Sequence, residues 1–172
     1  MKKILASLLL ATLGSFANAA QPAPEALFAS TLNDLNDKPV ALERYRGKAL
    51  VVNFWARWCA PCRQEIPELA KFAKTHKGKI EVLGIGIEDK ADAVREFAAR
   101  NKMDYPVFLA GDQGIPLMQK LGNSIGGLPF TLFIDRQGKV VDIKVGMLKK
   151  ADLDVAAPAL LSGTAARRLQ AD

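Results

Sequence analysis

The chain has 172 residues, 49% of them hydrophobic, with 24 Lys and Arg against 18 Asp and Glu, two cysteines and one histidine. That length suits one domain with an ordinary core, and 24% charged residues at a mean hydropathy of +0.05 exclude a disordered chain and a multi-span membrane protein. The formal charge of +6 is scattered and forms no block of the kind that tracks phosphates, so nucleic acid is not an expected partner.

In chain order, Met1, Lys2 and Lys3 supply a positive start, residues 4–16 an apolar stretch, and Ala17-Asn18-Ala19 small residues at the two positions that a signal peptidase reads. Residues 1–19 therefore read as a cleaved signal peptide, and the periplasm is the expected destination. The competing reading is an uncleaved N-terminal anchor, although the run falls short of the roughly 20 residues that span a bilayer. Residues 20–26 are a Pro-rich linker, 27–161 the expected domain, and 162–172 a tail rich in Ala and Arg without a motif. Residues 27–32 and 39–42 look like short strands of an N-terminal β-hairpin joined by the turn 33–37. Residues 49–56 are nearly all apolar, with β-branched and aromatic members, and read as a buried strand. The cysteines follow at once, and Pro61 between them suits the first turn of a helix. Further on, 80–87 is strand-like, 90–100 helix-like and 130–135 strand-like; 136–139 is a hairpin turn, 140–145 a strand and 149–161 a helix. Alternating elements that end in a hairpin predict an α/β fold with a central mixed sheet flanked by helices.

Exported proteins keep disulfides, and Cys59 and Cys62 are the single pair available. As a structural staple the pair would close almost no loop and contribute only about 2 kcal/mol. Structural zinc needs four ligands, and the chain adds only His76, whose place on the helix puts it about 20 Å beyond Cys62 and reads as a solvated helix end. A redox dithiol needs nothing that the chain lacks. The thiolate is the reactive form, and a helix N-terminus stabilises it, so Cys59 is the natural nucleophile. Residues three apart on a regular helix hold their Cβ atoms about 5–6 Å apart, whereas a relaxed disulfide wants about 3.5–4.5 Å. The bridge therefore requires Cys59 at the irregular start of the helix, and a bond so constrained should be easier to reduce than a structural one.

On a helical wheel Cys62, Ile66, Leu69, Ala70 and Ala73 share an apolar arc about 100° wide, which buries Cys62. Arg63, Gln64, Glu68, Lys71 and Lys74 cover the opposite side, and Pro67 predicts a kink. Glu65 stands at the margin of the apolar arc, one turn after Cys62. Two readings stay open for it: a solvated carboxylate whose stem skirts the core, or a partner that exchanges protons with Cys62.

The run from Val52 to Arg63, with Trp58-Cys59-Ala60-Pro61-Cys62 at its centre, resembles the active-site segment of thioredoxin-like proteins, and Leu128-Pro129-Phe130-Thr131-Leu132 resembles their later loop and strand. The export signal and an extra central segment at 88–112 are most similar to the TlpA/ResA group of periplasmic thiol:disulfide oxidoreductases. That resemblance implies a thioredoxin-like fold with a central insertion. It implies that Pro129 is a cis-proline beside the disulfide and that the backbone of Leu128 pairs with substrate. Trp58 would belong to the docking surface with Ala60 and Pro61, which also help to set the potential, while Trp55 is core. Glu65 matches an acidic position of the group, and Asn53 stands where thioredoxin has a buried aspartate.

The expected chemistry is two-step exchange: Cys59 attacks a protein disulfide, then Cys62, helped by Glu65, releases the reduced substrate. The redox group is the Cys59–Cys62 pair, with no cofactor and no metal. The resemblance implies net reduction, electrons from a membrane thiol transporter of the DsbD/CcdA type, and apocytochrome c as client. Two rivals share the residues: a dithiol oxidase, and a copper-binding or delivery module that holds the ion between two thiolates. Met118 and Met147, possible soft ligands by type, have no place in the sequence pattern.

Overall fold

The computed structural model describes residues 23–88 and 90–163. The signal segment 1–19, the start of the linker and the tail beyond Gly163 lie outside the described residues. Among the described residues no helix is long and apolar enough to cross a membrane.

The elements in chain order are α1 (Glu25–Phe28), β1 (Thr31–Asp34), β2 (Pro39–Ala41), a 3-10 turn (Leu42–Tyr45), β3 (Ala49–Trp55), α2 (Ala60–Thr75), β4 (Ile80–Gly86), α3 (Ala91–Arg100), β5 (Val107–Leu109), α4 (Gly114–Lys120), β6 (Phe130–Ile134), β7 (Val140–Val145) and α5 (Lys150–Ser162). The seven strands form one sheet in the order β2-β1-β5-β4-β3-β6-β7. β3 pairs in parallel with β4, and β4 with β5, while β6 runs antiparallel to β3 and β7 antiparallel to β6. The sheet is mixed and lies between helices, as the alternation of elements predicts.

One expectation needs correction. Residues 27–32 are not one strand: Pro24 and Glu25 open a helical turn, which lets the adjacent Leu27 and Phe28 turn into the same core cluster. The hairpin begins only at Thr31. The central segment contributes β5, which sits inside the sheet between β4 and β1. Helix α4 lies in a stretch that shows no helical pattern in sequence, since Gly114 and Pro116 are poor helix residues. α2 continues through Pro67, whose ring is on the exposed side, to Thr75.

The core has two parts, one on each face of the sheet. In β3, Ala49, Val51 and Trp55 face a cluster shared with α2, α3 and α5. Leu50, Val52 and Phe54 face the opposite cluster with α1 and α4. Because both faces of β3 are covered, all seven of its residues are buried, and the strand is a rigid platform for whatever leaves its C-terminal end.

Candidate active site

β3 ends at Trp55, and four residues later the chain enters α2 with Cys59 as its N-cap. Cys59 is extended (φ −80°, ψ 104°), and its Sγ accepts a hydrogen bond of 3.3 Å from the Cys62 backbone N–H. Pro61 fits the first turn because an N–H at that position would have no helical partner. The extended cap brings the two Cα atoms to 5.3 Å, and the sulfurs are joined in a disulfide. Cys59 retains 6% exposure and Cys62 none. Attack from outside therefore meets Cys59 first, and the α2 N-terminus is placed to stabilise a thiolate there.

The surroundings divide into an outer rim and an inner wall. On the rim Trp58 is 68% exposed, with Ala60 and Pro61 exposed beside it. Trp55, three residues earlier, is fully buried and stacks on Phe97 at 5.3 Å between ring centroids. The loop between them is clamped by Glu88, which accepts from the Arg57 backbone N–H at 2.8 Å and from its guanidinium Nε at 3.0 Å. Pairing of Phe54 with Phe130 places the Leu128-Pro129 peptide at the same end of the sheet as the disulfide. That peptide is cis, Pro129 is buried, its carbonyl accepts from Gly146 N–H, and Leu128 packs against the cluster that holds both cysteines.

On the inner wall Glu65 is 1% exposed, so it is no solvated carboxylate at the edge of the helix. Its Oε1 accepts from Asn53 Nδ2 at 2.7 Å, and its Oε2 from the Leu148 backbone N–H at 2.6 Å. Asn53 also donates to Thr131 Oγ1 across the β3–β6 pair at 3.0 Å. Burial pushes the Glu65 carboxyl up to about 7, against the two hydrogen bonds that favour its charged form. A buried carboxyl poised near neutral pH, one helical turn from a buried thiol, can take up and return a proton.

His76 is not a solvated helix end: it is half-buried at the C-cap of α2 and stacks on Phe72 at 4.1 Å. Met118 is buried in α4, and Met147 is 37% exposed. Among the described residues no group of three or more His, Cys, Asp or Glu side chains could hold a metal ion. Thr131, Leu148 and Glu88 join the site without having been singled out in sequence. Thr131 had a signal, since a lone polar residue inside an apolar strand needs a buried partner. The Leu148 contribution is a backbone N–H and had none.

A mixed sheet between helices, with a Trp-Cys-Ala-Pro-Cys disulfide at a helix start and a cis-proline at the same sheet end, defines a thioredoxin-fold dithiol protein. The Redoxin family matches residues 18–160, and the chain belongs to that family. It is similar to thiol-disulfide oxidoreductase ResA of Geobacillus thermodenitrificans, 32% identical over 161 residues that cover 89% of this chain and 90% of that one. It is also similar to thioredoxin-like protein YneN of Bacillus subtilis, 31% identical over 127 residues and 72% of each chain. The crystal structure of a thioredoxin-family thiol:disulfide interchange protein from Chlorobium tepidum superposes with a TM-score of 0.70 at 30% identity, covering 83% of this chain and 97% of that one. The protein is a thiol-disulfide oxidoreductase of the thioredoxin fold with Cys59 and Cys62 as its CxxC pair.

Proposed function

We propose that the protein works as a reductant outside the cytoplasm, with its export directed by residues 1–19. In this reading the Cys59 thiolate attacks a disulfide of an exported protein, forming one S–S bond and expelling the client's second sulfur as a thiolate, which takes a proton. Trp58, Ala60, Pro61 and the Leu128-Pro129 peptide receive the client segment. Cys62 then passes its proton to Glu65 and attacks Cys59, expelling the client's first sulfur as a thiolate that takes a proton from solvent, so that the client leaves with two thiols and the Cys59–Cys62 disulfide forms. Two electrons from a membrane thiol transporter of the DsbD/CcdA type restore the dithiol, and the dithiol is the whole redox group. Apocytochrome c is the proposed client, because its haem-attachment cysteines must be reduced.

The observation that carries the reading is the wholly buried Glu65 carboxyl one turn from the wholly buried Cys62. Released thiol has to lose its proton in the interior, and Glu65 is the acceptor at hand. Cys62→Ser should accumulate a mixed disulfide on Cys59 with client protein, detectable by mass spectrometry. Finding no adduct on Cys59 overturns the order of attack. The direction is tested by the reduction potential: a value near thioredoxin's, about −270 mV, supports the reductant, and one near about −120 mV overturns it in favour of an oxidant.

A further inference from the structure

We propose that Asn53 is a positioning residue that serves Glu65 in both of its protonation states, turning its carboxamide over as the proton arrives. The proposal rests on the reading of Glu65 as the acceptor of the Cys62 proton.

Asn53 is fully buried, and its two polar atoms are treated unequally. Both hydrogens of Nδ2 are used, on Glu65 Oε1 and on Thr131 Oγ1, while Oδ1 is buried with no partner among the described residues. Those bonds suit a carboxylate. They do not suit a carboxylic acid. The Leu148 donor on Oε2 is a backbone N–H and cannot become an acceptor, so an incoming proton belongs on Oε1, where it would point at the hydrogens of Nδ2. A half-turn of the amide removes that clash. It presents the idle Oδ1 to the new Glu65 O–H, and the Thr131 hydroxyl, able to accept or donate, reverses to donate to the same oxygen. The S–H is the one covalent bond that breaks, the two Nδ2 hydrogen bonds are exchanged for two to Oδ1, and the proton stays on Glu65 until the next cycle.

The turn also needs a place for the displaced NH2. Gly84 of β4 is the register partner of Asn53. Where a side chain would stand at Gly84, the Tyr105 ring edge and Trp55 Nε1 close in: a Cβ there would lie 3.1 Å from Tyr105 Cε2 and 3.2 Å from Trp55 Nε1. The Tyr105 hydroxyl is buried and, among the described residues, has no protein partner. The two unpartnered atoms do not touch, and like Thr131 the Tyr105 hydroxyl can either donate or accept, so one bridging water would serve Oδ1 before the turn and Nδ2 after it. The other titratable or charged groups facing Glu65 are Cys62 on its own helix, Tyr105 ahead of β5, and Asp152 on α5, which pairs with Lys144 of β7 at 3.2 Å. Neither carboxyl oxygen of Glu65 is hydrogen-bonded to any of them; its partners are Asn53 and Leu148.

Two NMR measurements on the purified oxidised protein test this. In the wild type, the Asn53 side-chain amide signals should titrate with the same midpoint as the Glu65 carboxyl carbon. The amide-proton contact with the Thr131 methyl should weaken on the acid side. In Asn53→Leu both states of Glu65 lose their partner, so its midpoint should stay within about half a pH unit of the wild type. A midpoint raised by roughly one to two pH units would mean that Asn53 serves the carboxylate alone, and overturns the proposal. So does an Asn53 amide that ignores the Glu65 titration, a result that holds even where Asn53→Leu fails to fold. The underlying reading fails separately: Cys62 alkylation with an unchanged pH profile in Glu65→Gln would remove Glu65 as proton acceptor while leaving the amide titration intact.

Discussion

The sheet buries both of its faces, and the same strands build them from different chemistry. On the α1 and α4 side, Leu50, Val52, Phe54, Phe130, Leu132 and Ile134 make an almost wholly apolar layer. On the α2 and α5 side, Asn53, Glu65 and Thr131 are set among Val51, Trp55, Ile66 and Leu69, each at 1% exposure or less. A shift of one residue along β3 moves a side chain from the first environment to the second. Burying polar groups costs free energy unless they are hydrogen-bonded, so the second face gives up some stability in return for a carboxyl held near neutral pH. The apolar face supports the platform, and the mixed face holds the proton.

The largest expected effect separates the two. Phe54→Ala removes a fully buried ring that packs on Phe130 at 5.7 Å, and it should lower stability by about 3–5 kcal/mol in urea unfolding. Under native conditions each folded molecule should still exchange disulfides at the wild-type rate, with the Glu65 midpoint unmoved. A shifted midpoint would show that the faces are coupled through the strand and would break the division.

Next comes Glu65 itself. Its folded-state pKa of about 7 lies above the ordinary 4.5, so protonation favours the fold. That contribution is complete below about pH 4.5, shrinks as the pH rises, and has gone once the pH passes about 7; it amounts to about 3 kcal/mol. Glu65→Gln cannot titrate. Relative to the wild type it should therefore gain about 3 kcal/mol on going from the acid to the alkaline side of this window. Denaturation midpoints that stay parallel in the two proteins across the window would show that Glu65 is not raised.

The two faces were not equally legible in the sequence. The apolar strands, the helix after the cysteines and the CxxC pair were read directly, because periodicity and residue type carry that information. The wheel alone leaves Glu65 between two readings, and the resemblance is what favours the proton partner, since a wheel locates a side chain relative to its own helix and cannot say that the Leu148 loop and β6 close over it. Asn53 registered as a departure from thioredoxin, but its bond to Glu65 spans 12 residues and its bond to Thr131 spans 78. Such contacts exist only after the sheet forms. The short helix at Glu25–Phe28 and the strand Val107–Leu109 were missed for a related reason. Segments of three or four residues offer too little periodicity, and tertiary packing decides their state.

A smaller perturbation sharpens the picture of the mixed face. Gly84→Ala puts a methyl 3.1 Å from Tyr105 Cε2 and 3.2 Å from Trp55 Nε1, both on flat rings that cannot swing aside. Overpacking of this kind should cost about 1–3 kcal/mol. Unlike Phe54→Ala it should also move the Glu65 midpoint, because it pushes on the wall behind Asn53. A midpoint that stays fixed despite lost stability would confine the proton site to Asn53, Thr131 and Leu148.

The smallest effect belongs to the rim, where solvent takes a share of every interaction. Arg57 and Glu88 form an ion pair of 3.0 Å with side chains 34% and 13% exposed, so Arg57→Ala should cost less than about 1 kcal/mol. The clamp on the loop survives that change, because Glu88 still accepts the backbone N–H of residue 57. Glu88→Ala removes the carboxylate from both donors and leaves a half-buried N–H without its partner, which should cost about 1–2 kcal/mol. The order of the two variants is therefore the informative result. If Arg57→Ala were the more damaging in thermal unfolding, the guanidinium rather than the carboxylate would be holding the approach to Cys59, and the rim would be fixed by charge at the surface instead of by a backbone hydrogen bond.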